Sequence, residues 1–243
     1  EGQQQSISCD ALQQVDINRS LAQKNRILMP ESGTSRWQGP YRMLRTRLMQ
    51  RMRANNWRVL GVSAAGEGEG KTLTALNLAI SIAAEVGQEA VLLELDLRRP
   101  SMCKRLGIPL GNITSVVDYL TNDKTTVEEL LFSPGIERLG CICSAEPLER
   151  SSDLLASPRG QMLFKELRKK LLPRTVIVVD LPPLLSTDDA LVVAPMIDAM
   201  LFVVAEGKTP RHDLLEAQHI LEEINVIGTV LNKSVEKDPK KYY

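Results

Sequence analysis

A glycine-rich segment ending in a Gly-Lys-Thr triplet is the part of the sequence best suited to chemistry. The apolar run Val59–Val62 leads into it, and a helical pattern follows. Glycines let backbone N–H groups turn inward around phosphate oxygens, a lysine adds a mobile positive charge, and a threonine hydroxyl can bind the magnesium ion that bridges two phosphates. This order of strand, loop and helix predicts a P-loop for a nucleoside triphosphate. The residues expected to contact nucleotide are Gly66, Glu67, Gly68, Glu69, Gly70, Lys71, Thr72 and Leu73.

Two other interpretations of this segment are weaker. The strict P-loop pattern has glycine where this chain has Ala65, so the triplet could be a chance feature of a glycine-rich turn. A dinucleotide-binding loop would also be rich in glycine and followed by an acid about 20 residues later. That loop has the spacing G-x-G-x-x-G and does not need Lys71. The strand before the triplet and the helix after it favour the P-loop.

Acidic residues stand where a magnesium-dependent P-loop needs them. The apolar run Val176–Val179 ends in Asp180, the arrangement of a Walker B acid that holds magnesium through water. A second apolar run ends in Glu94 and Asp96, whose i and i+2 spacing puts both side chains on one side of an extended chain. These two could instead be solvated carboxylates. Ligands of open α/β sheets bind beyond the carboxyl ends of the strands, so we expect all three acids to converge on the P-loop.

The elements that must position these residues alternate between strands and helices. Continuous apolar strands separated by helical patterns indicate a parallel sheet covered on both faces. The sequence therefore predicts an α/β P-loop NTPase with a doubly wound, mostly parallel sheet flanked by helices. Strands are expected at 59–62, 91–96, 139–143, 176–179, 200–204 and 226–231, and helices at 40–49, 72–86, 116–120, 127–131, 157–171, 186–197 and 211–224.

Composition excludes several classes of function. The 243 residues carry 30 basic and 30 acidic side chains, so no net charge draws the chain to nucleic acid. No apolar stretch approaches the roughly 20 residues that span a bilayer. The four cysteines are too scattered for a disulfide framework, and Cys141 and Cys143 are expected to be core thiols rather than half of a zinc site. A cytoplasmic protein is the simplest interpretation.

Three segments are expected along the chain. Residues 1–39 form a polar N-terminal leader with one weak helical pattern from Leu12 to Leu28. Residues 40–232 form the P-loop domain, beginning with a basic helix at Pro40, because proline favours the first helical position. Residues 233–243 form a charged C-terminal tail that ends in two tyrosines.

Several of these motifs together resemble the P-loop bacterial tyrosine kinases, the autokinases that govern capsule and exopolysaccharide synthesis and export. The resemblance covers roughly residues 35–243. It rests on the P-loop, on the run from Val91 to Pro100, on Asp180-Leu-Pro-Pro, on Tyr41-Arg-x-x-Arg-Thr, on Leu154-Leu-Ala-Ser and on the terminal tyrosine pair. It implies a cytoplasmic enzyme, peripheral at the inner face of the membrane, that works with a membrane-spanning chain-length or co-polymerase protein.

The resemblance also implies roles for single residues. Transfer of the ATP γ-phosphoryl group to tyrosine would depend on a catalytic set of Lys71, Glu94, Asp96, Arg98 and Asp180. Magnesium would be held by Thr72, Glu94, Asp96 and Asp180. Asn232, after the last strand, would recognise adenine, and Tyr242 and Tyr243 would accept phosphate. Arg42 and Arg45 would support self-association of subunits.

Departures from the family pattern leave a second function open. The family has Asp where this chain has Glu94, and Glu where it has Gly39. The sequence does not decide whether Glu94 or Asp96 accepts the tyrosine proton. A partitioning-type ATPase would need a second lysine near the start of the loop, where this chain has Ala65, Gly66 and Glu67. An ATP-binding or ATP-hydrolysing switch of the polysaccharide machinery with weak or no kinase activity is the alternative.

Overall fold

A single parallel sheet organises the protein. The structure, a computed structural model, describes residues 6–30 and 37–234. The sheet has the strand order β3-β2-β4-β1-β5-β6, and every neighbouring pair is parallel. Its strands are β1 (Val59–Ala64), β2 (Glu89–Glu94), β3 (Leu139–Ile142), β4 (Thr175–Asp180), β5 (Ala199–Ala205) and β6 (Val226–Asn232).

Helices cover both faces of the sheet, which explains why its inner strands are apolar throughout. Along β2, Ala90 and Leu92 belong to one hydrophobic cluster, whereas Val91 and Leu93 belong to the cluster on the opposite face. All residues of β1 to β4 are buried. The predicted doubly wound α/β P-loop fold is confirmed.

Ten α-helices lie within the described residues. They are α1 (Arg19–Lys24), α2 (Gln38–Ala54), α3 (Lys71–Ala83), α4 (Met102–Leu106), α5 (Val116–Thr121), α6 (Val127–Leu130), α7 (Ser151–Ala156), α8 (Pro158–Lys170), α9 (Asp189–Val193) and α10 (Arg211–Leu221). Within these ranges no helix has the length and apolarity that crossing a bilayer requires.

Two helical regions differ from the prediction. The helix expected over 186–197 is divided into α9 and a 3-10 turn at Ala194–Met196, because Pro195 has no N–H for an α-helical bond. The short helix α7 was not predicted separately, because its six residues carry too little periodicity. All four cysteines are buried free thiols, as expected for core residues.

The segment before α2 packs against the same core, which differs from the polar leader expected for residues 1–39. Cys9, Ala22 and Ile27 are buried, and the Val15 N–H donates to the Ser133 carbonyl at 2.8 Å. Of the weak helical pattern from Leu12 to Leu28, only α1 is helical. Because these scattered apolar residues are buried in the core, the described part of the leader packs as part of the P-loop domain.

Candidate active site

The P-loop joins β1 to α3 and depends on two glycines in left-handed conformations. Gly68 has φ +67° and Gly70 has φ +101°, a region that side chains with a Cβ disfavour. A Cβ on Gly70 would lie 2.1 Å from Asn232 Nδ2, and one on Gly68 would lie 2.4 Å from Lys208 Nζ. The end of β6 therefore approaches Gly70 closely, whereas the flexible Lys208 side chain near Gly68 can move, so at Gly68 the positive φ is what favours glycine.

Contacts from the end of β6 hold the loop in place. Asn232 Nδ2 donates to the Glu69 carbonyl at 2.8 Å, and Lys233 Nζ donates to the Gly68 carbonyl at 2.6 Å. Within the loop, the Gly66 N–H donates to Glu69 Oε1 at 3.1 Å. The structure thus brings Asn232, expected to recognise adenine, against the loop. Leu73 is partly buried and packs on the core.

Lys71 lies between two of the three predicted acids. Its Nζ is 2.6 Å from Asp96 Oδ2 and 3.5 Å from Asp180 Oδ1. Burial by itself would lower the pKa of Lys71, but Asp180 and Asp96 outweigh burial and raise the pKa above its ordinary value. The lysine is therefore a buried cation that balances two carboxylates.

Asp180 has the environment of a carboxylate that lacks a ligand. It is buried at the end of β4, next to Val62 of β1 and Glu94 of β2 in the sheet register. Within the described residues neither of its oxygens has a hydrogen-bond partner. Burial raises the pKa of Asp180, whereas Lys71 and Thr72 lower it. Buried oxygens without donors are costly, and a cation near Thr72 would satisfy them.

This donor set fits magnesium rather than a transition metal. The described part of the chain holds no group of three or more His, Cys, Asp or Glu side chains arranged for a metal ion. Magnesium keeps several waters and takes few protein ligands, with substrate phosphates completing its shell. Asp180 and the Thr72 hydroxyl are therefore a sufficient protein contribution.

Glu94 occupies a position different from that of the other acids. Its Oε1 accepts the backbone N–H groups of Ser101 at 2.6 Å and Met102 at 2.8 Å, and its Oε2 accepts that of Ser144 at 3.1 Å. Burial raises the pKa of Glu94 to about 7, and Asp180 adds to the rise, although the three amides lower it. Both oxygens are used, so Glu94 ties β2 to the start of α4 and to the loop after β3.

Two arginines follow the acids at the mouth of the site. Arg98 Nε donates to Ser151 Oγ at 3.3 Å, and the Ser151 hydroxyl donates to Asp189. Arg99 forms an ion pair with Glu67 of the P-loop. Sequence analysis did not identify Ser151 or Asp189. Both begin short helices, and only the polar character of such first positions could have drawn attention to them.

The basic face of α2 is partly used within the chain. Arg45 Nη1 donates to the Ser81 carbonyl at 2.9 Å, and its Nε is 3.3 Å from Glu85. Arg42 is exposed, and space surrounds Gly39. The expected phosphoacceptors Tyr242 and Tyr243 lie outside the described residues.

Known proteins resemble this chain in sequence. The putative tyrosine-protein kinase CapB of Staphylococcus aureus is 25% identical over 206 residues, which cover 84% of this chain and 87% of CapB. The tyrosine-protein kinase CpsD of Streptococcus pneumoniae serotype 4 is 29% identical over 72% of this chain and 76% of CpsD. The succinoglycan biosynthesis transport protein ExoP of Rhizobium meliloti is 29% identical over 79% of this chain, but the match spans only 24% of ExoP. The resemblance to the P-loop bacterial tyrosine kinases is confirmed. No family model matches the sequence.

Solved structures support the fold. The chimerical protein CapA2B2 superimposes with a TM-score of 0.76 at 21% identity, covering 93% of this chain and 94% of that one. The kinase domain of the Escherichia coli tyrosine kinase ETK gives 0.74 at 21% identity, with coverages of 95% and 92%. The septum site-determining protein MinD of Pyrococcus horikoshii, solved with Mg-ADP, gives 0.59 at 17% identity over 76% and 74%.

Proposed function

We propose that this protein is an ATP- and magnesium-dependent protein-tyrosine autokinase that regulates exopolysaccharide or capsule polymerisation and export. The observation that carries the proposal is the position of Lys71 between Asp96 and Asp180 beside a P-loop. The same fold occurs in the kinase domain of ETK, and CapB and CpsD are named tyrosine-protein kinases.

Nucleotide binding would use the loop and its surroundings. Backbone N–H groups from Gly66 to Thr72 cradle the phosphates, and α3 presents its N-terminus without a side-chain cap. Lys71 exchanges its contact with Asp96 for the outer phosphates. Asn232 would recognise the base with its side-chain amide once its bond to the Glu69 carbonyl opens.

Magnesium would be held by Asp180 and Thr72, with Asp96 within reach. A magnesium ion held by these residues would supply charge neutralisation for the outer phosphates. The unsatisfied oxygens of Asp180 support this assignment. MinD, of the same fold, was solved with Mg-ADP.

Asp96 is the acid best placed to accept the phenol proton. A free phenol has a pKa near 10, so the attacking oxygen needs a base or strong polarisation. Once Lys71 turns to phosphate, Asp96 Oδ2 loses its hydrogen-bond donor and can take the proton. The tyrosine oxygen then bonds to the γ-phosphorus while the bond to the ADP oxygen breaks.

Glu94 is assigned a supporting role in this proposal. Because three backbone amides occupy both of its oxygens, its carboxyl group cannot turn toward a metal ion or a tyrosine without releasing α4. It would keep β2 and its following turn in the geometry that Asp96 and Arg98 require. Arg98 would face the transferred phosphoryl group.

Phosphate would be accepted by Tyr242 and Tyr243, in trans between subunits brought together by a membrane-spanning co-polymerase. ExoP, a succinoglycan biosynthesis transport protein, matches this chain over about a quarter of its own length. A kinase unit that works beside an export component at the inner face of the membrane is consistent with that match. Of the two arginines expected to support self-association, Arg42 is exposed and Arg45 is partly buried.

An ATP-driven switch without kinase activity is the second candidate. The engagement of Arg45 with Ser81 and Glu85 favours it, because this arginine is then not free to pair with a neighbouring subunit. Loss of the family glutamate at Gly39 points in the same direction.

Intact-mass measurement after incubation with ATP and magnesium tests the proposal. The kinase predicts added phosphoryl groups that disappear in Lys71→Met and in the double variant Tyr242→Phe, Tyr243→Phe. ADP formation without any mass addition would instead identify the switch. Neither ADP nor mass addition, in a folded protein that binds nucleotide, would contradict the kinase and a hydrolysing switch and would leave a switch that only binds ATP.

A further inference from the structure

A polar chain that the proposed mechanism does not use leads from Arg98 into the protein. Arg98 Nε donates to Ser151 Oγ at 3.3 Å, and Ser151 donates in turn to Asp189 Oδ2. The three residues come from three separate parts of the fold: the turn after β2, the start of α7 and the start of α9. Ser151 and Asp189 are fully buried, whereas Arg98 is exposed.

The burial of Asp189 is costly and calls for an explanation. Its Oδ1 has no hydrogen-bond partner in the described residues, and burial raises the pKa of Asp189 while Ser151 and Arg98 lower it. A buried acid with one unsatisfied oxygen usually persists where its charge has a use. The cation that it faces through Ser151 is Arg98.

We propose that Asp189, acting through Ser151, is a positioning residue that fixes the guanidinium group of Arg98 at the mouth of the P-loop site. This inference rests on the proposed phosphoryl transfer for its catalytic consequence. Its geometric part, the restraint on Arg98, does not depend on that function.

The restraint has a simple physical basis. A guanidinium group is planar, so a bond to Nε fixes the plane in which the two Nη groups must lie. Those two groups then remain available for paired bonds to phosphate oxygens. The buried charge of Asp189 strengthens the Ser151 hydroxyl as an acceptor for Nε, because hydrogen bonds in a chain polarise one another. An arginine two residues beyond Asp96 thus keeps one orientation despite its exposure.

The competing explanation is structural. Asp189 is the first residue of α9, where a negative charge favours the helix in any case. That role predicts lower stability without any dependence on Arg98. A double-mutant cycle separates the two explanations, since only the positioning role makes Ser151 and Arg98 act as one unit.

The test measures autophosphorylation rate and the KM for ATP in Ser151→Ala, Arg98→Ala and the double variant, with melting curves for each. Ser151→Ala should lower the maximal rate roughly tenfold, the size of one hydrogen bond to a charged group, with little change in KM. In the Arg98→Ala background it should have no further effect. Ser151→Thr, which keeps the hydroxyl group, should retain the wild-type rate. Asp189→Asn should lower the rate.

Matched controls stand beside each residue. Ser152→Ala and the exposed Asp188→Asn should leave the rate unchanged. An equal loss from Ser151→Ala with and without Arg98, or no loss at all, would overturn the proposal.

If the wild-type protein shows no autophosphorylation, the proposed function is refuted. The restraint on the Arg98 guanidinium group can then still be tested by NMR. A slowly exchanging Nε–H signal of Arg98, lost in Ser151→Ala and kept in Ser152→Ala, would support the restraint. The same exchange rate in wild type and Ser151→Ala would overturn it.

Discussion

Replacing Lys71 should cost stability as well as activity. In Lys71→Met, Asp96 and Asp180 lose the cation that lies 2.6 Å from one and 3.5 Å from the other. Removing one partner of a buried ion pair costs about 3–5 kcal/mol. Protonation of one carboxyl group limits the cost, because an Asp with an ordinary pKa of 3.8 takes up a proton at pH 7 for about 4 kcal/mol. We therefore expect a loss of about 3–4 kcal/mol at pH 7.

The pH dependence of this loss is the sharper part of the prediction. Without Lys71 the folded-state carboxyl pKa rises further above its unfolded value, and a raised carboxyl pKa means stability that is lost as pH increases. At pH 5, protonating an ordinary Asp costs only about 2 kcal/mol. The free energy of unfolding that Lys71→Met loses should therefore be about 2 kcal/mol smaller at pH 5 than at pH 7.

Urea denaturation of nucleotide-free protein with a chelator at pH 5 and pH 7 measures both quantities. The double variant Lys71→Met, Asp96→Asn is the control, since removal of one carboxylate should restore much of the lost stability. A Lys71→Met protein as stable as wild type at pH 7, or a difference that does not change with pH, would refute the reasoning.

Four further expectations concern the site and its surroundings. Glu94→Asp should unfold more easily by about 2–3 kcal/mol in urea, because the shorter side chain cannot keep all three amide bonds. As pH rises from 4.5 to 7, wild type should lose up to about 3 kcal/mol relative to Glu94→Gln, because burial raises the pKa of Glu94 to about 7; parallel curves would contradict this. Gly70→Ala should lower the stability of nucleotide-free protein in urea, because the added Cβ meets the Asn232 amide, and the same substitution should cost less in an Asn232→Ala background; an equal loss in both backgrounds would be evidence against the clash. Arg45→Ala should lower stability by about 1–2 kcal/mol and Arg42→Ala by less than about 0.5 kcal/mol, because only Arg45 has partners among those described here; denaturation curves with the reverse order would be incompatible with this packing.

The features that could be predicted from the sequence are those whose residues lie close together along the chain. The P-loop could be recognised because its glycines, Lys71 and Thr72 are adjacent in sequence, and β1 and α3 carry their own periodicity. Asp180 could be placed because an apolar strand precedes it and parallel strands end on one edge of a sheet. The convergence of Asp96 with Lys71 follows from the same rule, whereas the strand order was not predicted from the sequence.

The unpredicted contacts depend on residues far apart in the chain. Arg45 belongs to the basic helix that begins near Pro40, where its charge suggests an exposed position, yet its partners Ser81 and Glu85 belong to the end of α3 and the turn after it. Before α2 the sequence shows only the weak helical pattern from Leu12 to Leu28, and of this pattern only α1 is helical. That pattern gives no sign that Val15 and Ile27 are buried in the core. The link between Asp189 and Arg98 could not be predicted, because it passes through Ser151, which is far from both residues in sequence.

Glu94 shows how a backbone contact changes the meaning of a motif. In sequence, Glu94 and Asp96 form a pair of equivalent acids, and either could be the base or a metal ligand. In the structure their environments differ, because the amides of Ser101, Met102 and Ser144 saturate the first acid while Lys71 alone holds Oδ2 of the second. A lysine can leave Asp96 when phosphates arrive, but backbone amides cannot leave Glu94 without displacing α4. The longer side chain at this position is therefore better explained by its reach to three amides than by any task in phosphoryl transfer, which is why we propose Asp96 as the proton acceptor.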